Sequence, residues 1–185
     1  PLHLLDICQE NDGAAAIIMT STDRAKDLRH ADTPILVEAA AQGSGPQNDG
    51  IIYRPDLAMA ESVNTAQDLW ARAKLGPSDI DALMFYDHFT PFCLLNLEAY
   101  GFLPFGEAKD FVDGGQNIRF DGTLPVNTHG GNHSEAYIHG LTHVQEAVRL
   151  IRGTSSSQPP KKSINRVLSC SSVAQLSAAV VIRRG

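Results

Sequence analysis

The chain has 185 residues, 43% hydrophobic and 19% charged, a composition typical of one or two folded domains and not of a disordered chain. Its formal net charge of -6 argues against general nucleic-acid binding, and no apolar run is long enough to span a bilayer. Its three cysteines have no metal-type spacing, which predicts reduced thiols in a cytoplasmic protein.

Strands and helices are predicted to alternate along the first part of the chain. The apolar run Gly13–Met19 predicts a strand buried on both faces, and a short capped helix is predicted at Arg24–Arg29. A second strand is predicted at Pro34–Glu38, followed by an exposed loop at Gln42–Gly50. Apolar residues at helical spacing then predict an amphipathic helix at Thr65–Leu75.

The middle of the chain contains a third predicted strand, Ile80–Tyr86, which is almost entirely apolar. Thr90 is suited to cap the helix that follows, and Gly101 is suited to end it. The glycine-rich stretch Phe102–Pro125 predicts a long loop, and loops of this length in a compact domain are usually functional.

The last part of the chain opens with the turn Gly130–Gly131, which leads into the longest predicted helix, Ser134–Arg152. Two strands are predicted after it, at Arg166–Cys170 and Gln175–Arg183. This order of elements predicts one α/β domain with a mixed sheet of about five strands layered with helices.

Residues 125–143 contain four of the seven histidines, and three kinds of site were considered for them. His139 and His143 are four residues apart on a predicted helix with Glu135 one turn back, but no further ligand cluster or HExxH motif accompanies them, so no metal is predicted. Gly130 and Gly131 precede a helix as in phosphate sites, yet they match neither a P-loop nor GxGxxG and equally suit a tight turn.

Acid–base chemistry is the third interpretation. Tyr86 and His88 follow a buried strand, where open α/β sheets present reactive side chains, Tyr137 follows the double glycine, and Cys170 ends a strand. Each also has a purely structural explanation, Tyr86 as a core aromatic residue and Cys170 as a small buried hydrophobic one.

Four motifs in order resemble the C-terminal half of the thiolase superfamily: "DGAAAIIMTSTDRAKDL", "YDHF", "NTHGGN" and "SCSS". Tyr86 stands where a thiolase has the asparagine of its NEAF motif, and Tyr137 where it has the catalytic histidine. Ser172 replaces the C-x-G glycine. "YDHFTPF" and "NTHGGNHSEAYIHG" are most similar to lipid-transfer-protein (sterol-carrier-protein-type) thiolases that act as steroid side-chain aldolases.

The start at Pro1 suggests a processed chain or a fragment. The resemblance implies that residues 1–185 are a C-terminal thiolase-like domain and that the N-terminal half, where thiolases carry their nucleophilic cysteine, lies outside this chain. It implies retro-aldol cleavage of a β-hydroxyacyl-CoA to a ketone and a shorter acyl-CoA. Tyr86 and Tyr137 would form the acid–base pair, with the pKa of one tyrosine lowered from about 10 by His88 or His129. His139 and His143 are then expected at the surface or facing a partner.

The remaining site residues follow from the same resemblance. His129 and the backbone of Gly130 and Gly131 would polarise the substrate, which His88, Asn132 and the glycines would bind. Cys170 would be an acid–base residue or line the pocket.

No cofactor is expected beyond the coenzyme A thioester as substrate, and the implied partners are a second copy of the chain and a small OB-fold protein of the DUF35 type. An acetyl-CoA acyltransferase and a non-catalytic acyl- or sterol-binding module remain alternatives.

Overall fold

A mixed four-stranded sheet forms the centre of the computed structural model, which describes residues 2–45, 53–54, 59–160, 163–173 and 175–185. The strands are β1 (Ile35–Ser44), β2 (Ala82–Phe85), β3 (Arg166–Ser172) and β4 (Leu176–Arg184). Their order is β1-β4-β3-β2, in which β4 is antiparallel to both neighbours and β2 is parallel to β3. The α/β class is confirmed, with four described strands where about five were expected.

Six α-helices lie within the described residues: α1 (Thr22–Ala25), α2 (Ala60–Ala73), α3 (Thr90–Ala99), α4 (Ala108–Val112), α5 (Gly131–Ser134) and α6 (Leu141–Arg152). One face of the sheet packs against α2 and α3, where Leu83 and Phe85 of β2 join the larger core cluster. The other face packs against α6, where Ala82 and Met84 join the smaller one. Since both faces of β2 are covered, its sequence is a continuous apolar run.

The predicted helix Ser134–Arg152 is confirmed over Leu141–Arg152 (α6), but its start is wrong, because residues 135–140 separate α6 from the short helix α5. His139 and Gly140 have φ values of 47° and 81° and so leave the right-handed helical region. Helix α2 begins five residues before the predicted Thr65–Leu75, at Ala60. Thr90 is the first residue of α3 and not its cap.

The predicted strand Gly13–Met19 is also wrong. This segment has no regular secondary structure, and Ile18 and Met19 are 92% and 76% exposed. An apolar strand requires hydrogen-bonding neighbours, and none of the described strands pairs with this segment. The helix predicted at Arg24–Arg29 is a single turn, α1.

The loop predicted at Gln42–Gly50 begins inside β1, and its residues 46–50 lie outside the described part of the chain. Across the ranges that the structure describes, no helix is both long enough and apolar enough to cross a membrane.

Candidate active site

The end of β2 is held in place by Asn127, the first residue of the NTHGGN loop. Its side-chain oxygen accepts the Phe85 N–H at 2.8 Å, and its amide nitrogen donates to the Phe85 carbonyl at 2.9 Å. The next residue, Tyr86, donates its N–H to the carbonyl of Cys170 at 2.9 Å. The backbone that carries Tyr86 is therefore fixed by hydrogen bonds from both sides.

Tyr86 and Tyr137 meet at this strand end, as the resemblance implied. Their hydroxyl oxygens are 2.5 Å apart, and their rings are stacked with centroids 6.1 Å apart. The ring of His88 stacks on Tyr86 at 4.6 Å. Gly140 lies against the same tyrosine, since a Cβ there would be 3.3 Å from its ring. The two hydroxyls are thus joined by one short hydrogen bond.

The pKa of Tyr86 is set by its burial and by its partner hydroxyl. Burial raises the pKa of Tyr86, and the hydrogen bond from Tyr137 raises it further. Burial lowers the pKa of His88, so this ring is neutral near pH 7. The lowered pKa that was predicted for one tyrosine of the pair is therefore not found at Tyr86, whose hydroxyl stays protonated near pH 7.

Tyr137 lies between α5 and α6 and not one turn into a helix. Its N–H donates to the side-chain oxygen of Asn11 at 2.7 Å, so the N-terminal segment supports it. That segment is also tied to the strand end, because Cys8 donates its N–H to the carbonyl of His88 at 3.1 Å. A cavity of about 420 Å³ opens here, lined by Glu10, Asn11, Asp12, Gly13, Tyr137, Ile138 and His139. Tyr137 is therefore the tyrosine of the pair that lines an open cavity.

A buried carboxylate behind the tyrosines was missed by sequence reasoning. Asp87 is 4% exposed and accepts the N–H of Asn132 at 3.0 Å and the Nε2–H of His143 at 3.1 Å. Burial alone would raise its pKa, but these two hydrogen bonds outweigh burial and hold the pKa below its ordinary value. The available signal was an acidic residue directly after an all-apolar strand.

His143 is 1% exposed, so the prediction that it lies at the surface is wrong, whereas His139 is exposed. The helical pair predicted as a possible ligand spacing does not form, because His139 lies before α6 begins. No group of three or more His, Cys, Asp or Glu side chains within the described ranges is placed to hold a metal ion.

The glycine loop packs closely against its neighbours, and few of its N–H groups are free to donate hydrogen bonds to a substrate. The Gly130 N–H already donates to the Asn127 carbonyl at 2.8 Å, so it is not available as the expected polarising donor. Gly131 has a φ of 64°, and a Cβ there would lie 1.9 Å from Oδ2 of Asp87. Asn132 is 2% exposed, so its side chain reaches solvent hardly at all.

The described side-chain contacts of His129 and Cys170 are to groups other than the two tyrosine hydroxyls. The His129 ring packs edge-on against the ring of His143, with centroids 5.0 Å apart. Cys170 belongs to the core that packs against α2 and α3, and burial raises the pKa of its thiol, which therefore stays protonated. It also contributes to the wall of a second cavity of about 590 Å³, which favours a lining role over an acid–base one.

The half-buried imidazole of His129 is expected to make the free energy of unfolding depend on pH. Burial lowers its pKa from 6.5 to about 4, so below pH 6.5 the unfolded chain binds a proton that the folded chain does not. The free energy of unfolding should therefore fall by about 1–3 kcal/mol as pH drops from 6.5 to 4, after allowance for partial exposure.

Urea unfolding at pH 7 and pH 5 tests this dependence. His129→Gln should reduce the decrease in unfolding free energy between pH 7 and pH 5. His139→Gln, at an exposed position, should show the same decrease as the unaltered chain. His88 contributes in the same direction, so a residual loss is expected in His129→Gln. An identical pH dependence in His129→Gln and the unaltered chain would contradict the prediction.

The mixed sheet, its polar strand end and the glycine loop facing it define a thiolase-type half-domain. Residues 43–184 match the family described as thiolase C-terminal domain-like, and the chain belongs to this family.

Individual relatives narrow the similarity further. Over 162 residues, the chain is 51% identical to a steroid side-chain-cleaving aldolase of Thermomonospora curvata. The aligned region covers 86% of this chain and 41% of the relative. Over 171 residues, it is 48% identical to a 17-hydroxy-3-oxo-4-pregnene-20-carboxyl-CoA lyase of Mycobacterium tuberculosis. The aligned region covers 91% of this chain and 43% of that relative.

A solved structure is similar along the whole chain. It is described as an Ltp2-ChsH2(DUF35) aldolase, with a TM-score of 0.92 and 45% identity over 100% of this chain and 48% of that one. The chain thus spans less than half the length of the proteins it matches.

Proposed function

We propose that this domain supplies the acid–base residues of a retro-aldol lyase acting on a β-hydroxyacyl-CoA, with a steroid side chain as the substrate class. The observation that carries the proposal is the hydroxyl pair of Tyr86 and Tyr137, 2.5 Å apart at a strand end. The names of the aldolase and the lyase among the relatives support the same reaction and the same substrate class.

The reaction requires two proton movements and no redox partner. A base removes the proton of the β-hydroxyl group, and the bond between Cα and Cβ breaks as the β-carbon becomes a ketone. The electron pair of that bond moves onto the thioester as an enolate, and an acid then protonates Cα to give the shorter acyl-CoA. Two adjacent hydroxyls are suited to both steps, because one can take the proton and later return it while the other donates a hydrogen bond to it.

Burial distinguishes the roles of the two tyrosines. The Tyr86 hydroxyl is the more buried, and its raised pKa keeps it protonated. Tyr137 lines the open cavity, where the substrate hydroxyl and solvent reach it. We therefore assign Tyr137 as the residue that takes the β-hydroxyl proton and Tyr86 as the donor that stabilises its charged form.

Partners and location are proposed on the same basis. The solved structure described with a DUF35 protein supports a DUF35-type partner, and we retain a homodimer and an acyl-CoA substrate as proposals. The described cysteines, Cys8, Cys93 and Cys170, are all unpaired, which supports a reducing compartment such as the cytoplasm.

The test is a product assay with the full-length protein and a DUF35-type partner. A β-hydroxyacyl-CoA with a tertiary hydroxyl is supplied without free coenzyme A, and ketone and acyl-CoA are followed by mass spectrometry. Equal amounts of ketone and shorter acyl-CoA are expected. A β-ketoacyl-CoA supplied with free coenzyme A is the parallel assay. Cleavage of that substrate alone, with none of the β-hydroxyacyl-CoA, would indicate the acyltransferase alternative, and binding of both thioesters without products would indicate a carrier module.

A further inference from the structure

We infer that Asp87 is a positioning residue that holds Tyr137 against Tyr86 by fixing both ends of the segment on which Tyr137 lies. The inference rests on the proposed function for its kinetic consequences, but its geometric content is independent of the reaction. Asp87 is bonded covalently to Tyr86, so whatever Asp87 holds is held relative to that tyrosine.

The two hydrogen bonds of Asp87 reach opposite ends of one segment, residues 132–143. At its start, the N–H of Asn132 donates to Oδ1 of Asp87 at 3.0 Å. At its end, Nε2 of His143 donates to the same oxygen at 3.1 Å. Tyr137 lies midway between these two points. The carboxylate thus closes the segment into a loop and removes much of its conformational freedom.

Close packing leaves the two ends of the 132–143 segment little freedom to move. The Cα of Gly131 faces the carboxylate, and a Cβ there would overlap it. At the other end, Gly140 rests against the ring of Tyr86. Asp87 and His143 are both almost fully buried, so water does not compete for their hydrogen bond. A shift of either end would therefore move Tyr137 relative to Tyr86.

The hydrogen bonds of Asp87 to Asn132 and His143 are called the Asp87 clamp below. His143→Gln and His143→Leu test this clamp in the full-length protein. Glutamine retains an N–H that can donate to Asp87, whereas leucine fills similar space without a donor. We expect His143→Leu and Asp87→Asn to lower kcat by about 10- to 100-fold with KM nearly unchanged, because displacement by about 1 Å has effects of this size. His143→Gln should retain kcat within about 3-fold, the conservative substitution rescuing the loss.

Glu146→Gln provides the matched control. Glu146 lies on the same helix, is 1% exposed and accepts hydrogen bonds from Thr128 and Ser155, both outside the 132–143 segment. It should lower the midpoint of thermal unfolding and leave kcat of the folded fraction unchanged. Equal losses of kcat in His143→Gln and His143→Leu, or loss of stability alone in His143→Leu, would overturn the inference.

Crystal structures of the same variants separate this inference from the proposed function. The distance between the two tyrosine hydroxyls should stay near 2.5 Å in His143→Gln and exceed about 3.5 Å, beyond hydrogen-bonding range, in His143→Leu. The unaltered protein could cleave no β-hydroxyacyl-CoA while the two variants show these two distances. That result would refute the proposed lyase activity and still support the positioning role of Asp87. An unchanged distance in His143→Leu refutes the clamp whatever the activity.

Discussion

Replacing either member of the hydroxyl pair is expected to lower kcat for β-hydroxyacyl-CoA cleavage by about 10²- to 10⁴-fold, the usual contribution of a positioned acid or base. Tyr137→Phe removes the group that takes the substrate proton. Tyr86→Phe removes the donor that stabilises the resulting phenolate at 2.5 Å. Both losses should appear in kcat and in kcat/KM, because the interactions strengthen as charge develops in the transition state.

Tyr100→Phe is the matched control for these substitutions. Its hydroxyl is also buried and contacts Ser177 at 3.1 Å, but it lies in the core against α2 and α3. Its loss should cost about 1 kcal/mol of unfolding free energy, the net value of one buried hydrogen bond, with kcat unchanged. The measurement is steady-state ketone release by the full-length protein. Full activity in both Tyr86→Phe and Tyr137→Phe would refute the acid–base assignment.

The two tyrosines were predictable because their positions are read directly from motifs. Tyr86 follows an apolar strand, and Tyr137 follows a double glycine at a family spacing. Neither signal depends on knowing the long-range packing. Only the resemblance predicted that these two tyrosines, 51 residues apart, act as a pair. In the structure their hydroxyls are joined by a hydrogen bond.

The buried pair of Asp87 and His143 could not be predicted in the same way. Helical spacing places His143 on the buried face of α6 with Ala147, Leu150 and Ile151, but it does not show which group the imidazole meets there. The break before α6 depends on the left-handed backbone at His139, a residue whose propensity does not exclude helix. Local sequence therefore gave no indication that this histidine faces a carboxylate 56 residues away.

The segment Gly13–Met19 shows the opposite kind of error. Its composition is that of a buried strand, but a strand is defined by its hydrogen-bonding neighbours, and the described sheet ends elsewhere. Composition thus predicted how strongly this segment favours burial but not which strand it would pair with. The same distinction explains why the α/β class was confirmed while the described residues form four strands and not about five.

The second large effect is expected from Gly131→Ala, which should lower the free energy of unfolding by about 3 kcal/mol or more. One part of this loss is the left-handed backbone, φ 64°, which costs an alanine about 1 kcal/mol. The rest is steric, since the new Cβ would lie 1.9 Å from Oδ2 and 2.7 Å from Cγ of the Asp87 carboxylate. The carboxylate must move and lose its hydrogen bonds to Asn132 and His143.

Gly153→Ala separates the two contributions. Gly153 has a similar φ of 73°, at the end of α6, but a Cβ there would meet no atom within 4 Å. It should therefore lose only the backbone part, about 1 kcal/mol. Urea unfolding of both variants gives the difference, about 2 kcal/mol, as the cost of displacing a buried hydrogen-bonded carboxylate. Equal losses in the two variants would show that Asp87 moves aside freely and that the glycine loop is not packed against a fixed anion.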